Sequence, residues 1–185
     1  NLEYFPSLWN TVKLSLVSSL LQIASCAVVA YGFARFRFPG RRPLFMLLIA
    51  TLMLPNAVII IPRYTLFNTF GWLNTYLPVY MPALFACYPF FIFMLVQFFR
   101  GVPRELDESA YIDGCGTFRV FYSILLPLMK PSLFSAGLFQ FMWTWNDYFN
   151  SLIFINSVEK YPISLGLRMS LDLEASVAWG NVLAM

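Results

Sequence analysis

The chain has 185 residues, enough for one domain, yet it is 59% hydrophobic, 19% aromatic and only 11% charged, with mean hydropathy +0.68 and net charge +3. A water-soluble domain carries about a quarter charged residues, so most of this surface does not meet water; a disordered chain, a basic nucleic-acid binder and a disulfide-stapled secreted domain are excluded. The sequence contains no histidine, which removes imidazole metal sites, histidine-based triads and histidine proton relays.

Residue 1 is Asn, and no basic segment followed by a cleavable apolar one opens the chain, so the sequence reads as a piece of a longer protein. Crossing a bilayer takes roughly 20 mostly apolar residues in a helix. Four segments qualify, over residues 11–33, 43–61, 77–99 and 131–155. The second contains Pro55 and the third Pro78, Pro82 and Pro89, with Pro62 just beyond the second. Prolines inside membrane helices bend the axis and free a carbonyl, and either a pathway or ordinary packing can use the bend. Cys26, Cys87 and Cys115 have no metal-binding or redox spacing and read as buried small hydrophobes.

The basic residues orient these spans. Arg35, Arg37, Arg41 and Arg42 fill the link between the first two, and Arg100, Arg104, Arg119 and Lys130 that between the last two. The other side has only Lys13, Arg63, Lys160 and Arg168. The arginine-rich links are therefore expected in the cytoplasm, and the amino end and the residues after Ile155 outside.

The cytoplasmic link over residues 100–130 is too polar to span and too patterned for an irregular loop. Pro103 suits the first turn of a helix, and Glu105, Asp107 and Glu108 put negative charge where the helix dipole favours it. Asp113-Gly114 is a helix stop. Thr117 is placed to cap a second helix over residues 118–125, which Pro127 would end. Ser109 and Ala110 are small enough to let another protein approach closely. A solvated amphipathic helix is the alternative reading of this stretch.

In span four, Trp145, Asn146 and Asp147 set an aromatic ring beside an amide and a carboxylate. Such a set suits the apolar faces and hydroxyl edges of a sugar; an aromatic belt at the outer interface, with Asp147 capping local structure, is the favoured alternative. No phosphate-binding loop of the G-x-x-x-x-G-K-[ST] type occurs, and no acid cluster with metal-ligand spacing lies in a span, so no catalytic, metal or cofactor-binding residue is assigned.

The run Glu108-Ser109-Ala110, then Gly114, Ile124 and Leu126-Pro127, resembles the EAA motif of ABC importer permeases, E-A-A-x₃-G-x₉-I-x-L-P, with serine in place of the first alanine. Asn10-Thr11, the stretch from Ala30 to Arg35, Phe38-Pro39-Gly40-Arg41, Leu54-Pro55, Trp145-Asn146-Asp147, Pro162, Leu165-Gly166-Leu167 and Trp179-Gly180 are similar to the maltose-type carbohydrate branch, of the smaller-subunit kind.

The resemblance implies an all-α, polytopic membrane bundle of the type I importer permease fold, as one transmembrane domain over residues 1–185. It implies six spans, so the chain reads as lacking the first and the last. It further implies a bacterial inner-membrane location and a coupling helix carrying Glu105, Glu108, Ser109, Ala110, Asp113 and Gly114. The implied partners are a second permease subunit, two ATP-binding subunits holding ATP and magnesium, a solute-binding protein outside, and a sugar or oligosaccharide as cargo. The chain itself would not be an enzyme. A non-sugar importer permease, an integral membrane enzyme and a channel are the competing readings.

Overall fold

The computed structural model describes residues 4–173, which leaves Trp179-Gly180 outside the described residues. The described residues form helices and no strands. In chain order these are α1 (Tyr4–Arg35), α2 (Arg41–Thr51), α3 (Asn56–Thr69), α4 (Leu77–Leu84), α5 (Pro89–Gly101) and α6 (Glu105–Ile112). A short α7 (Thr117–Arg119) then runs through a π-helical stretch (Val120–Leu125) into α8 (Leu126–Leu128). The chain continues as α9 (Lys130–Trp145), α10 (Tyr148–Phe154), a 3-10 turn (Val158–Lys160) and α11 (Ile163–Leu173).

Two stretches, Tyr4–Arg35 and Leu77–Gly101, are long and apolar enough to cross a membrane. The number rises to four if the bent pairs Arg41–Thr51 with Asn56–Thr69 and Thr117–Leu128 with Lys130–Trp145 each count as one span. Three of the expected spans are thus interrupted. The second breaks ahead of Asn56, because Pro55 disfavours helical geometry in the residue before it. Pro62, by contrast, lies inside α3. The third breaks ahead of Pro89, which opens α5. The fourth ends at Trp145, and Asp147 caps a separate helix, so it is not one rod over residues 131–155. Of the cysteines only Cys26 is buried; Cys115 is half-buried and Cys87 exposed.

α1 is inverted relative to a helix of a soluble protein. Thr11, Ser15, Ser18, Ser19 and Gln22 are buried, while Phe5, Trp9, Leu16, Leu20 and Val28 are exposed. An apolar outer face and buried small polar residues suit a hydrocarbon solvent, where hydrogen bonds and close packing bring helices together.

The chain divides into two compact units. One draws on the residues up to Ser19, on Asn56–Pro82 and on those from Gln140 onward. In it Ser18 Oγ and Thr144 Oγ1 lie 3.1 Å apart, and Gln140 Nε2 donates to the same Thr144 oxygen. Asn74 organises its loops from a left-handed backbone (φ 59°) that asparagine tolerates. Its Oδ1 accepts from the Asn156 and Ser157 amides, and its carbonyl accepts from Lys160 Nζ. Arg63 lies over both Phe67 and Phe154, 5.7 Å from each ring centroid.

The other unit comprises Leu20–Pro55 and Ala83–Phe139. Its centre is an aromatic trio: Tyr31 is 4.7 Å from Phe121 and 5.7 Å from Phe99, centroid to centroid. Gly137 brings α9 against α1, for a Cβ there would stand 2.5 Å from Ile23 Cδ1. The α4–α5 break lies in this unit, where Ser25 Oγ donates to the Ala83 carbonyl at 2.6 Å and Ala86 is held left-handed at φ 54°.

A left-handed conformation costs an L-residue about 1–2 kcal/mol that glycine does not bear. Ala86→Gly is therefore expected to stabilise the protein by about 1 kcal/mol, seen as a rise of a few degrees in the thermal midpoint of detergent-solubilised protein. A fall would mean that the buried methyl packs more favourably than the backbone is strained.

Candidate functional site

The link between α5 and α9 lies within one unit and folds as the sequence leads one to expect at its centre and differently at its edges. Arg104 is the N-cap of α6, so Pro103 precedes the helix instead of entering its first turn. At the other end Gly114 is left-handed (φ 80°), the Gly114 amide donates to the Tyr111 carbonyl and the Cys115 amide to the Ala110 carbonyl. That pair of bonds is the Schellman stop, which satisfies two carbonyls the helix end would otherwise leave open. Thr117 is the first residue of α7 and makes no cap with its side chain; the cap position is Gly116. Pro127 does not end the second helix but is the second residue of α8, in the first turn, where its missing N–H is tolerated.

The helical period divides α6 into two faces. Asp107 and Ala110, three residues apart, are buried. Glu105, Glu108, Ser109 and Ile112 are exposed, as are Asp113 and Gly114 beyond the helix end. Ala110 packs into this chain's own core with Val120, Phe121 and Leu125. Ser109 does face outward, its hydroxyl returned to the Glu105 carbonyl at 2.6 Å. Around the acidic face stand bare apolar side chains: Ile112 and Phe118 are each 86% exposed and Tyr122 72%.

Asp107, expected from the sequence only to place negative charge near a helix start, is one half of a buried ion pair. Its Oδ2 lies 2.9 Å from Arg35 Nε, an ion pair with side-chain exposures of 11% and 5%. Arg35 Nη2 also donates to the Val102 carbonyl at 3.0 Å, and Arg104 Nη2 donates to the Ala34 carbonyl at 3.3 Å. The end of α1 and the start of α6 are therefore tied by an ion pair and two reciprocal arginine–carbonyl bonds. Burial pushes the Asp107 carboxyl up, against the opposing pull of Arg35 and Arg104. Two sequence signals mark the pair: Asp107 shares a helix face with Ala110, and Arg35 is the first basic residue after the first apolar stretch.

Trp145, Asn146 and Asp147 lie in the other unit. Asp147 accepts from the Asn150 amide at 3.1 Å and from Asn150 Nδ2 through both oxygens, so it is the N-cap of α10. Trp145 stacks on Phe141 with centroids 5.5 Å apart, and the exposed Asn146 donates to the Met142 carbonyl. All three have local structural work. Among the described residues no group of histidine, cysteine and acid side chains could hold a metal ion.

Residues 25–185 match the family described as binding-protein-dependent transport system inner membrane component. An arabinooligosaccharides transport system permease protein of Halalkalibacterium halodurans is 33% identical over 164 residues, which are 89% of this chain and 58% of that protein. A trehalose/maltose transport system permease protein of Thermococcus litoralis is 27% identical over 182 residues, 98% of this chain and 66% of its own length. This chain thus spans about three fifths to two thirds of these relatives. Among solved structures, a bacterial ABC transporter involved in the import of the acidic polysaccharide alginate superposes with a TM-score of 0.85 at 22% identity, over 98% of this chain and 63% of that one. The last likeness shows the fold alone, an all-helical one shared with that transporter's chain.

Removing one partner of a buried ion pair leaves an uncompensated charge, at a cost of about 3–5 kcal/mol, whereas replacing both by apolar residues is often neutral. Asp107→Ala is expected to lower stability by that order and Arg35→Met with Asp107→Leu to recover most of it. A double-mutant cycle on thermal unfolding of the solubilised protein checks this; additive single effects would show the pair to be uncoupled.

Proposed function

Since this chain belongs to the family of binding-protein-dependent transport system inner membrane components, we propose that it forms half of the translocation path of an ABC importer for a sugar or oligosaccharide. The family is one of transporters and not of enzymes. Hydrolysis of ATP, with its magnesium, is assigned to a separate pair of ATP-binding subunits; a second permease subunit and an extracytoplasmic solute-binding protein complete the assembly.

One observation carries the reading: α6 is a two-faced helix whose inner face is locked and whose outer face is free. Asp107 and Ala110 anchor it, while Glu105 and Glu108 stand exposed above uncovered Ile112 and Phe118. An acidic rim beside apolar side chains of that size is what a protein partner with a basic, apolar cleft would bury. The EAA-type spacing lies over this helix and its Gly114 stop. Closure of the ATP-binding subunits would press on the outer face, and the Arg35–Asp107 tie would deliver the displacement to α1 as well as to α5, which is joined by the chain itself. The two states of the path would then differ in contact with the nucleotide-bound partner, as any ligand-driven shift requires. The carbohydrate assignment rests on the arabinooligosaccharide and trehalose/maltose relatives, together with the run of residues shared with the maltose-type branch.

Glu108→Arg is expected to lower affinity for the ATP-binding subunit by about 2 kcal/mol, roughly thirtyfold, and to abolish ATP-driven uptake while the protein still inserts. Gly114→Val is expected to do the same by a different route: there is open space around a new Cβ, but a β-branched residue is strained at φ 80°. Co-purification of the full-length chain with its ATP-binding subunit, and uptake of labelled oligosaccharide into vesicles with ATP inside and the solute-binding protein outside, test both. Unchanged association and uptake in both variants would remove α6 from coupling. Uptake of another solute in place of sugars would keep the permease and change its cargo.

A further inference from the structure

We infer that the arginines around the α1–α2 turn form a binding site for the headgroup of an anionic phospholipid. Arg37, Phe38, Gly40, Arg41, Arg42 and Pro43 line an open cavity of about 700 Å³. That size is in the range of small-molecule pockets, and no acidic residue lines it. The inference is independent of the transport reading.

The charges here are unbalanced. Arg35 is neutralised by Asp107. Arg37, Arg41, Arg42 and Arg100 make no ion pair among the described residues. The Arg41 guanidinium is disfavoured as a cation first by its partial burial and then by the like charges of Arg100, Arg104, Arg37 and Arg42. Its one fixed partner is the Phe36 carbonyl, to which Nη1 donates at 3.2 Å, and Arg100 lies over the Phe45 ring at 5.1 Å. Like charges gathered this closely are held together most cheaply by an anion among them.

The surface next to the arginines chooses between a soluble anion and a lipid. α2 leaves the cluster with no buried residue, and Leu44, Met46 and Leu47 are 50%, 68% and 63% exposed. Phe36 and Phe38 are exposed on the turn itself. A phosphodiester at the guanidinium groups with its acyl chains along α2 uses both features, whereas a free phosphate uses only the first. Basic pockets beside membrane helices bind anionic headgroups in this manner.

The test is native mass spectrometry of the full-length protein released from mixed micelles with equal amounts of phosphatidylglycerol and phosphatidylcholine. Phosphatidylglycerol is expected to be retained preferentially. Arg37→Gln with Arg42→Gln removes two exposed side chains that hold no other element in place, and should cut the preference about tenfold or more. The corresponding double lysine variant should keep most of it, and unchanged thermal stability in phosphatidylcholine shows that the glutamine variant is folded. Millimolar inorganic phosphate should not displace the lipid. The inference is overturned by equal retention of the two lipids, by an unaffected glutamine variant, or by displacement with phosphate, which would make this a soluble-anion site. Loss of bound phosphatidylglycerol on assembly with the ATP-binding subunit would reassign the arginines to a protein contact.

Discussion

A chain surrounded by hydrocarbon has no water to satisfy its polar groups, so every one of them must find a partner within the protein or at its ends. That constraint sorts the residues of α1, whose serines, threonine and glutamine turn inward while tryptophan, phenylalanine and leucine turn outward. It also fixes where helices can break. The α4–α5 interruption is tolerated because Ala86 is buried and Ser25 reaches the Ala83 carbonyl, and the α9–α10 break because Asp147 accepts from the Asn150 amide in the first turn of the new helix.

The same requirement makes the Arg35–Asp107 pair informative. Desolvating two charges is expensive, and a pair so enclosed is no efficient source of stability. What it supplies is geometry: with the Val102 and Ala34 carbonyl bonds it leaves the start of α6 little freedom relative to the end of α1. A helix intended to carry a displacement needs one stiff attachment and one open face, and α6 has both.

Much of this was legible in the sequence. Hydropathy located the apolar stretches, and the spacing from Glu108 to Pro127 located the link and its Gly114 stop. The family, and with it the fold, followed from those residues. Three things were hidden. Helix breaks inside spans depend on whether neighbours satisfy the freed backbone, so Pro62 continues a helix where Pro55 and Pro89 mark breaks. The π-helical stretch at Val120–Leu125 runs straight into Leu126–Leu128, so the second helix continues past the end that Pro127 was expected to set. Asp107 was read for its charge near a helix dipole, when its spacing from Ala110 already put it on the inner face.

The division of α6 into two faces also bears on how such a segment can diverge. A change at Ala110 or Asp107 disturbs only neighbours encoded in the same gene, so a second substitution at Arg35 or in the Val120–Leu125 stretch can restore the fit. A change at Glu105, Glu108 or Ile112 can be answered only in whatever gene encodes the docking partner. Eight consecutive residues are therefore under two separate kinds of covariation, one within the chain and one between chains, alternating with the period of the helix.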